Sequence, residues 1–63
     1  MAPKVGEVIR RLEREGWVLL RQSGSHRIYS HPTKIGIVVI AGKSSLQLQE
    51  DTWTNIKRQA GWK

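Results

Sequence analysis

The chain has 63 residues and no cysteine, with eleven Lys and Arg against five Asp and Glu for a formal net charge of +6. A chain this short hides only about 60% of its unfolded surface, so we expect one small domain with a thin core and marginal stability. Disulfides and thiolate zinc sites are excluded by composition, and no apolar run approaches the roughly 20 residues that cross a bilayer.

In chain order, Pro3 suits a helix start, and Val5, Val8, Ile9 and Leu12 recur at the spacing of one helical face. Glu7, Arg10, Arg11 and Arg14 fall on the opposite face. The pattern predicts a helix over residues 3–15, closed by Gly16, which can take positive φ without a side-chain clash. Trp17 to Gln22 reads as a first strand, Ser23-Gly24-Ser25 as a tight turn, and His26 to Ser30 as a second strand. His31-Pro32-Thr33-Lys34 forms the next turn, because Pro32 cannot donate to a ladder. Ile35 to Ile40, β-branched except for Gly36, reads as a third strand. Short connections predict an antiparallel meander.

Ala41 to Gln49 reads as a polar loop anchored by Leu46 and Leu48. Asp51 or Thr52 can cap a last helix, whose positive end suits Glu50 and Asp51. Trp53, Ile56 and Ala60 share one of its faces, Lys57 and Arg58 lie near its negative end, and Gly61 stops it. The expected fold is α+β: one domain over residues 1–63, in αβββα order, with a three-stranded antiparallel sheet and both helices on one face.

The charge favours an anionic partner, either nucleic acid or an acidic protein, over a membrane. The charged residues Lys4, Glu7 and Arg10 predict no secretory leader, and hence a cytoplasmic location. Strand alternation puts His26, Ile28 and Ser30 on one side of the sheet and Arg27, Tyr29 and His31 on the other. We expect Tyr29 to pack toward the helices and His26 to face the open side.

Histidine is the side chain that accepts a proton most readily near neutral pH. The Gly24-Ser25 corner before His26 carries no bulk that would exclude a large substrate. His31 lies an odd number of residues from His26, so the two cannot form an acid/base pair on a regular strand. Ser25 and His26 are strand neighbours that point apart, and no acid is placed to orient the imidazole, which disfavours a serine nucleophile. The acids lie in the first helix (Glu7, Glu13, Glu15) or together at Glu50 and Asp51. No histidine or carboxylate spacing offers converging ligands, so no metal site and no cofactor are expected. Trp17, Tyr29 and Trp53 read as core. Trp62 either covers a sheet edge or lies exposed, and His31 reads as a turn residue.

Gly16-Trp17, Arg21-Gln22, Gly24-Ser25-His26, Tyr29, His31-Pro32 and Lys57-Arg58-Gln59-Ala60-Gly61 follow one another in an order that resembles the HicA toxin family. These are small mRNA-cleaving toxins of prokaryotic toxin–antitoxin pairs, also called YcfA-like proteins. The resemblance covers nearly the whole chain. It departs from the family after the third strand, where Ala41-Gly42-Lys43 stands in place of a Pro and a His-bearing loop. It departs again at Asp51-Thr52-Trp53, which replaces a Gly-Thr-Leu helix entry.

What the resemblance implies is a double-stranded-RNA-binding-like fold and a metal-independent endoribonuclease acting on mRNA. His26 would be its catalytic residue, the general base on a ribose 2′-OH. Arg21, Gly24, Ser25, Arg27 and Lys43 are the candidate RNA-binding residues, with Arg21 or Lys43 countering charge on the reacting phosphate. The implied partners are RNA and a HicB-like antitoxin that covers His26, anchored on apolar groups such as Ile28 or Trp62. We expect a monomer alone and a higher-order complex with the antitoxin. Two rival readings remain open: a non-catalytic RNA-binding module of the same fold, and a protein-interaction domain that binds no RNA.

Overall fold

An apolar face repeating every three to four residues, followed by three short β-rich runs, produces the order foreseen above. The computed structural model describes residues 2–62. It contains α1 (Val5–Arg14), β1 (Val18–Ser23), β2 (His26–Ser30), β3 (Ile37–Ala41) and α2 (Glu50–Ala60). The strands form one antiparallel sheet in the order β1-β2-β3. Val5, Val8 and Leu12 of α1, Ile56 and Ala60 of α2, and Tyr29, Val38 and Ile40 of the sheet bury one another in a single core. Both helices therefore cover the same sheet face, and the other face is open.

α1 begins at Val5, two residues later than the expected start at Pro3. The cause lies in the loop after β3. Pro3 gives its carbonyl to the Leu48 N–H at 3.1 Å, and Lys4 bridges to Gln47, so these residues pair with the loop instead of entering the helix. No side chain caps α1. The Val5 and Gly6 amides donate instead to the carbonyls of Leu46 and Ser44, each at 2.9 Å. At the other end Gly16 takes φ 94°, as expected of a residue that reverses the chain.

His31 does more than form a turn. Its Nε2 lies 2.9 Å from the Glu15 carbonyl oxygen, and its Nδ1 lies 3.1 Å from the Thr33 amide nitrogen. A carbonyl only accepts and an amide only donates, so the partners select the Nε2–H tautomer. The ring also stands edge-on against Trp17, 5.2 Å between centroids. A Cβ on Gly16 would sit 3.1 Å from His31 Nε2, a second reason for glycine there.

β3 begins at Ile37 instead of Ile35. Gly36 takes φ 99°, outside the β region, and Ile35 stands fully in solvent. Leu48 anchors the following loop in the core, but Leu46 does not; it is 48% exposed and lies over Gly42. The N-cap of α2 is Gln49, not Asp51 or Thr52, and no side chain caps it. Because the helix starts at Glu50, Asp51 is already inside its first turn, where its Oδ1 accepts the Thr52 amide at 2.9 Å.

Gly61, at φ 79°, ends α2 as expected and turns Trp62 back onto the domain. Trp62 is 9% exposed. Its ring lies 6.0 Å from Trp53, the Arg11 guanidinium covers it at 3.9 Å, and its Nε1 donates to Glu15 Oε1 at 2.7 Å. A tryptophan held this way is part of the core and cannot anchor a partner, which corrects that expectation.

The Trp62 hydrogen bond, aided by Arg11 and opposed by partial burial, holds the Glu15 carboxyl below its usual value. A depressed folded-state pKa contributes stability that is present above the unfolded value and is lost as pH falls through the folded one. We therefore expect acid to loosen the α1–Trp62 clasp, and Glu15→Gln to flatten the fall of stability below about pH 5. Urea unfolding of both proteins between about pH 2 and 7 measures this; parallel profiles would refute it.

Candidate active site on the open sheet face

The β1–β2 hairpin turns through two residues, Gly24 and Ser25. Gly24 has φ 59° while Ser25 keeps negative φ, the pattern of a turn that matches strand twist and calls for glycine at its first central position. A Cβ on Gly24 would meet nothing within 4 Å, so the requirement is conformational and the space above the corner is open. Gln22 Nε2 braces the turn by donating to the Gly24 carbonyl at 2.9 Å.

His26 follows at once, opposite Ser23 on β1 and Ala41 on β3. It is exposed, and among the described residues its side chain has no hydrogen-bond partner. The expected parity holds. Tyr29 is 2% exposed on the helix side, so His26 and Ile28 lie on the open side. Arg21 pairs with Ile28 and shares that face, because a bulge at Leu20 shifts the β1 register by one residue.

Lys43 reaches the same end of the sheet by another route. Ala41, opposite His26, is followed by Gly42, whose amide donates to the Ser25 carbonyl at 3.2 Å. The Lys43 carbonyl accepts the Leu46 amide at 2.9 Å, closing a tight loop whose Ser44 and Leu46 carbonyls cap α1. Arg21, Gly24, Ser25, His26 and Lys43 are thus gathered at one end of the sheet. Arg27 stands apart: it faces the helix side, half-buried, with Nη1 3.5 Å from the Gly42 carbonyl oxygen. Tyr29 is on that side too; burial, reinforced by Glu13 and opposed by Arg27, raises its hydroxyl pKa.

Gly6 is the supporting residue that sequence reasoning missed. A Cβ there would sit 3.1 Å from the Ser44 carbonyl oxygen and 3.2 Å from Ser44 Cβ. The available signal was a glycine in the first turn of a helix, where alanine would be favoured by roughly 1 kcal/mol. Its smallness lets the Lys43 loop seat on α1. First-turn amides ordinarily lack intrahelical partners, whereas those of Val5 and Gly6 are bonded here. We expect Gly6→Val to speed hydrogen exchange at the Val5 amide by roughly 3- to 10-fold, the worth of one hydrogen bond. NMR-detected exchange reads this directly, and an unchanged Val5 rate would refute the seating.

A cleft of about 270 Å³ is lined by Pro3, Glu7, Val8, Arg11 and Trp53 and takes in none of the candidate site residues. No group of three or more His, Asp or Glu side chains among the described residues converges to hold a metal ion. No helix among them is long and apolar enough to cross a membrane.

The site is thus one exposed imidazole at a glycine corner, with Arg21 on its face and Lys43 on a loop fastened beside it. None of the curated proteins matches the chain. Residues 5–62 match the family described as HicA toxin of bacterial toxin–antitoxin. Since that span takes in every helix and strand and the hairpin that presents His26, the chain belongs to the HicA toxin family and takes the toxin's part in a toxin–antitoxin system.

Proposed function

We propose that the chain is a metal-independent endoribonuclease that disables mRNA, with His26 as its general base. The observation that carries this reading is the exposed His26 at the head of β2, on the open face it shares with Arg21, in a chain of this family. The His26 imidazole takes the proton from a ribose 2′-OH. The freed oxygen attacks the adjacent phosphorus, and the bond to the 5′-oxygen breaks as that oxygen takes a proton from water. The products are a 2′,3′-cyclic phosphate and a 5′-OH end. Arg21 and Lys43 offset charge that builds on the phosphoryl oxygens, and Gly24 and Ser25 leave the strand room to approach. Arg27, on the other face, serves RNA by holding the Gly42 carbonyl of the Lys43 loop. In the cell a HicB-type antitoxin silences the site by covering His26, with Ile28 as an apolar anchor.

One observation favours a second reading, a non-catalytic RNA-binding module: no side chain among the described residues orients the His26 imidazole by a hydrogen bond. That module would bind RNA with strong salt dependence, because phosphate contacts release counterions, and would never turn it over. Incubation of a short single-stranded RNA with the protein in EDTA separates the two. Cleavage with cyclic-phosphate ends supports the ribonuclease. Loss of cleavage on chelation, or binding without turnover at any enzyme concentration, overturns it.

A further inference from the structure

The sheet has two outer edges, and the fold treats them differently. On β3, α2 supplies a cover: Gln59 Oε1 accepts the Val39 amide at 3.3 Å, occupying a backbone donor that would otherwise face outward. On β1, among the described residues, no side chain is hydrogen-bonded to the outward backbone in this way. β1 is the terminal strand, and all six of its residues are exposed. Three of them in succession are large and apolar: Val18, Leu19 and Leu20, at 58%, 44% and 60% exposure. An open edge of this kind is a template for another strand; proteins usually blunt one with charges, bulges or a cover, and β1 has only the Leu20 bulge and Arg21 beside its apolar run. Neither the ribonuclease chemistry nor the core uses these side chains.

We propose that β1 is the docking edge for an extended acidic segment of the partner antitoxin, which joins the sheet as a fourth, antiparallel or parallel, strand. Main-chain hydrogen bonds would supply affinity, and the exposed apolar side chains would supply register. The charge of the sheet selects the occupant. The three strands contain Arg21, Arg27 and His26 and not one Asp or Glu. A second copy of this chain is disfavoured, since pairing would bring together two bodies of formal charge +6. The proposal rests on membership of the toxin family and is independent of the ribonuclease reading, so a protein that failed to cut RNA would leave it standing.

The test is a titration of the full chain with its cognate antitoxin, together with hydrogen exchange of the complex. In the complex, amides of β1 are expected to gain at least about tenfold protection over the free chain, the mark of backbone pairing. Leu20→Glu is expected to weaken the complex about tenfold or more by setting like charges together, while Leu20→Lys stays within about threefold of the parent. Ile35→Glu, on the fully exposed β2–β3 turn, serves as the charge control and is expected to bind like the parent. A complex that leaves β1 exchange unchanged overturns the proposal. So does equal weakening by Leu20→Glu and Leu20→Lys, and so does sedimentation showing that the free chain already pairs with itself through β1.

Discussion

His26→Ala is expected to lower RNA cleavage by about 10²- to 10⁴-fold, the usual contribution of a general base, with little change in stability. His26 is exposed and makes no hydrogen bond among the described residues, so its loss leaves no buried group unpaired. Surface substitutions of this kind ordinarily stay within about 0.5 kcal/mol. The same variant should keep its affinity for the antitoxin within about tenfold, since an imidazole at the rim of an interface contributes roughly 1 kcal/mol or less. Single-turnover cleavage and an unfolding curve on the same preparation measure both halves. Full activity in the variant removes His26 from the chemistry; a large drop in unfolding midpoint would make it a structural residue instead.

Leu12→Ala is expected to produce a large loss of stability. Leu12 is completely buried, on the face of α1 that meets the sheet and α2. Removing its side chain costs the transfer energy of the lost methyls and leaves a cavity, about 2–5 kcal/mol together. At about 0.05–0.15 kcal/mol per residue, a 63-residue chain has only roughly 3–9 kcal/mol of total stability. The variant should therefore be substantially unfolded near 37 °C, or melt about 10 °C or more below the parent. Circular dichroism on heating decides it. A shift under about 3 °C would mean that the core collapses around the gap, and that Leu12 is not the keystone its burial indicates.

Some expectations failed for identifiable reasons. Pro3 looked like a helix start because local signals favour it, yet the chain pairs Pro3 and Lys4 with a loop more than forty residues away. Asp51 and Thr52 looked like caps because their side chains suit the role, but the helix starts one residue ahead of Asp51. Trp62 was ambiguous because its partners, Arg11, Glu15 and Trp53, lie on two separate helices or at their ends. The Leu20 bulge left no mark in the apolar run Val18-Leu19-Leu20, yet it is what sets Arg21 on the face of His26.

The αβββα order was legible in the residues, because helical and strand periodicities follow one another with glycines between them. So was the apolar face of each element, and with that the exposure of His26, since Tyr29 must be buried and lies an odd number of residues away. The family was legible too, through the order of short motifs along nearly the whole chain. How the candidate site is supported became visible in the fold alone: the seating of Ser44 on Gly6, the tie between Gly42 and Ser25, and the placing of Arg21 on the sheet face of His26. The same holds for the cover that Gln59 gives β3 while β1 stays open. All of these share one cause. Each is a contact between residues distant along the chain, made by a single atom pair or a close approach of backbones, and such contacts leave no periodic trace in the order of the amino acids.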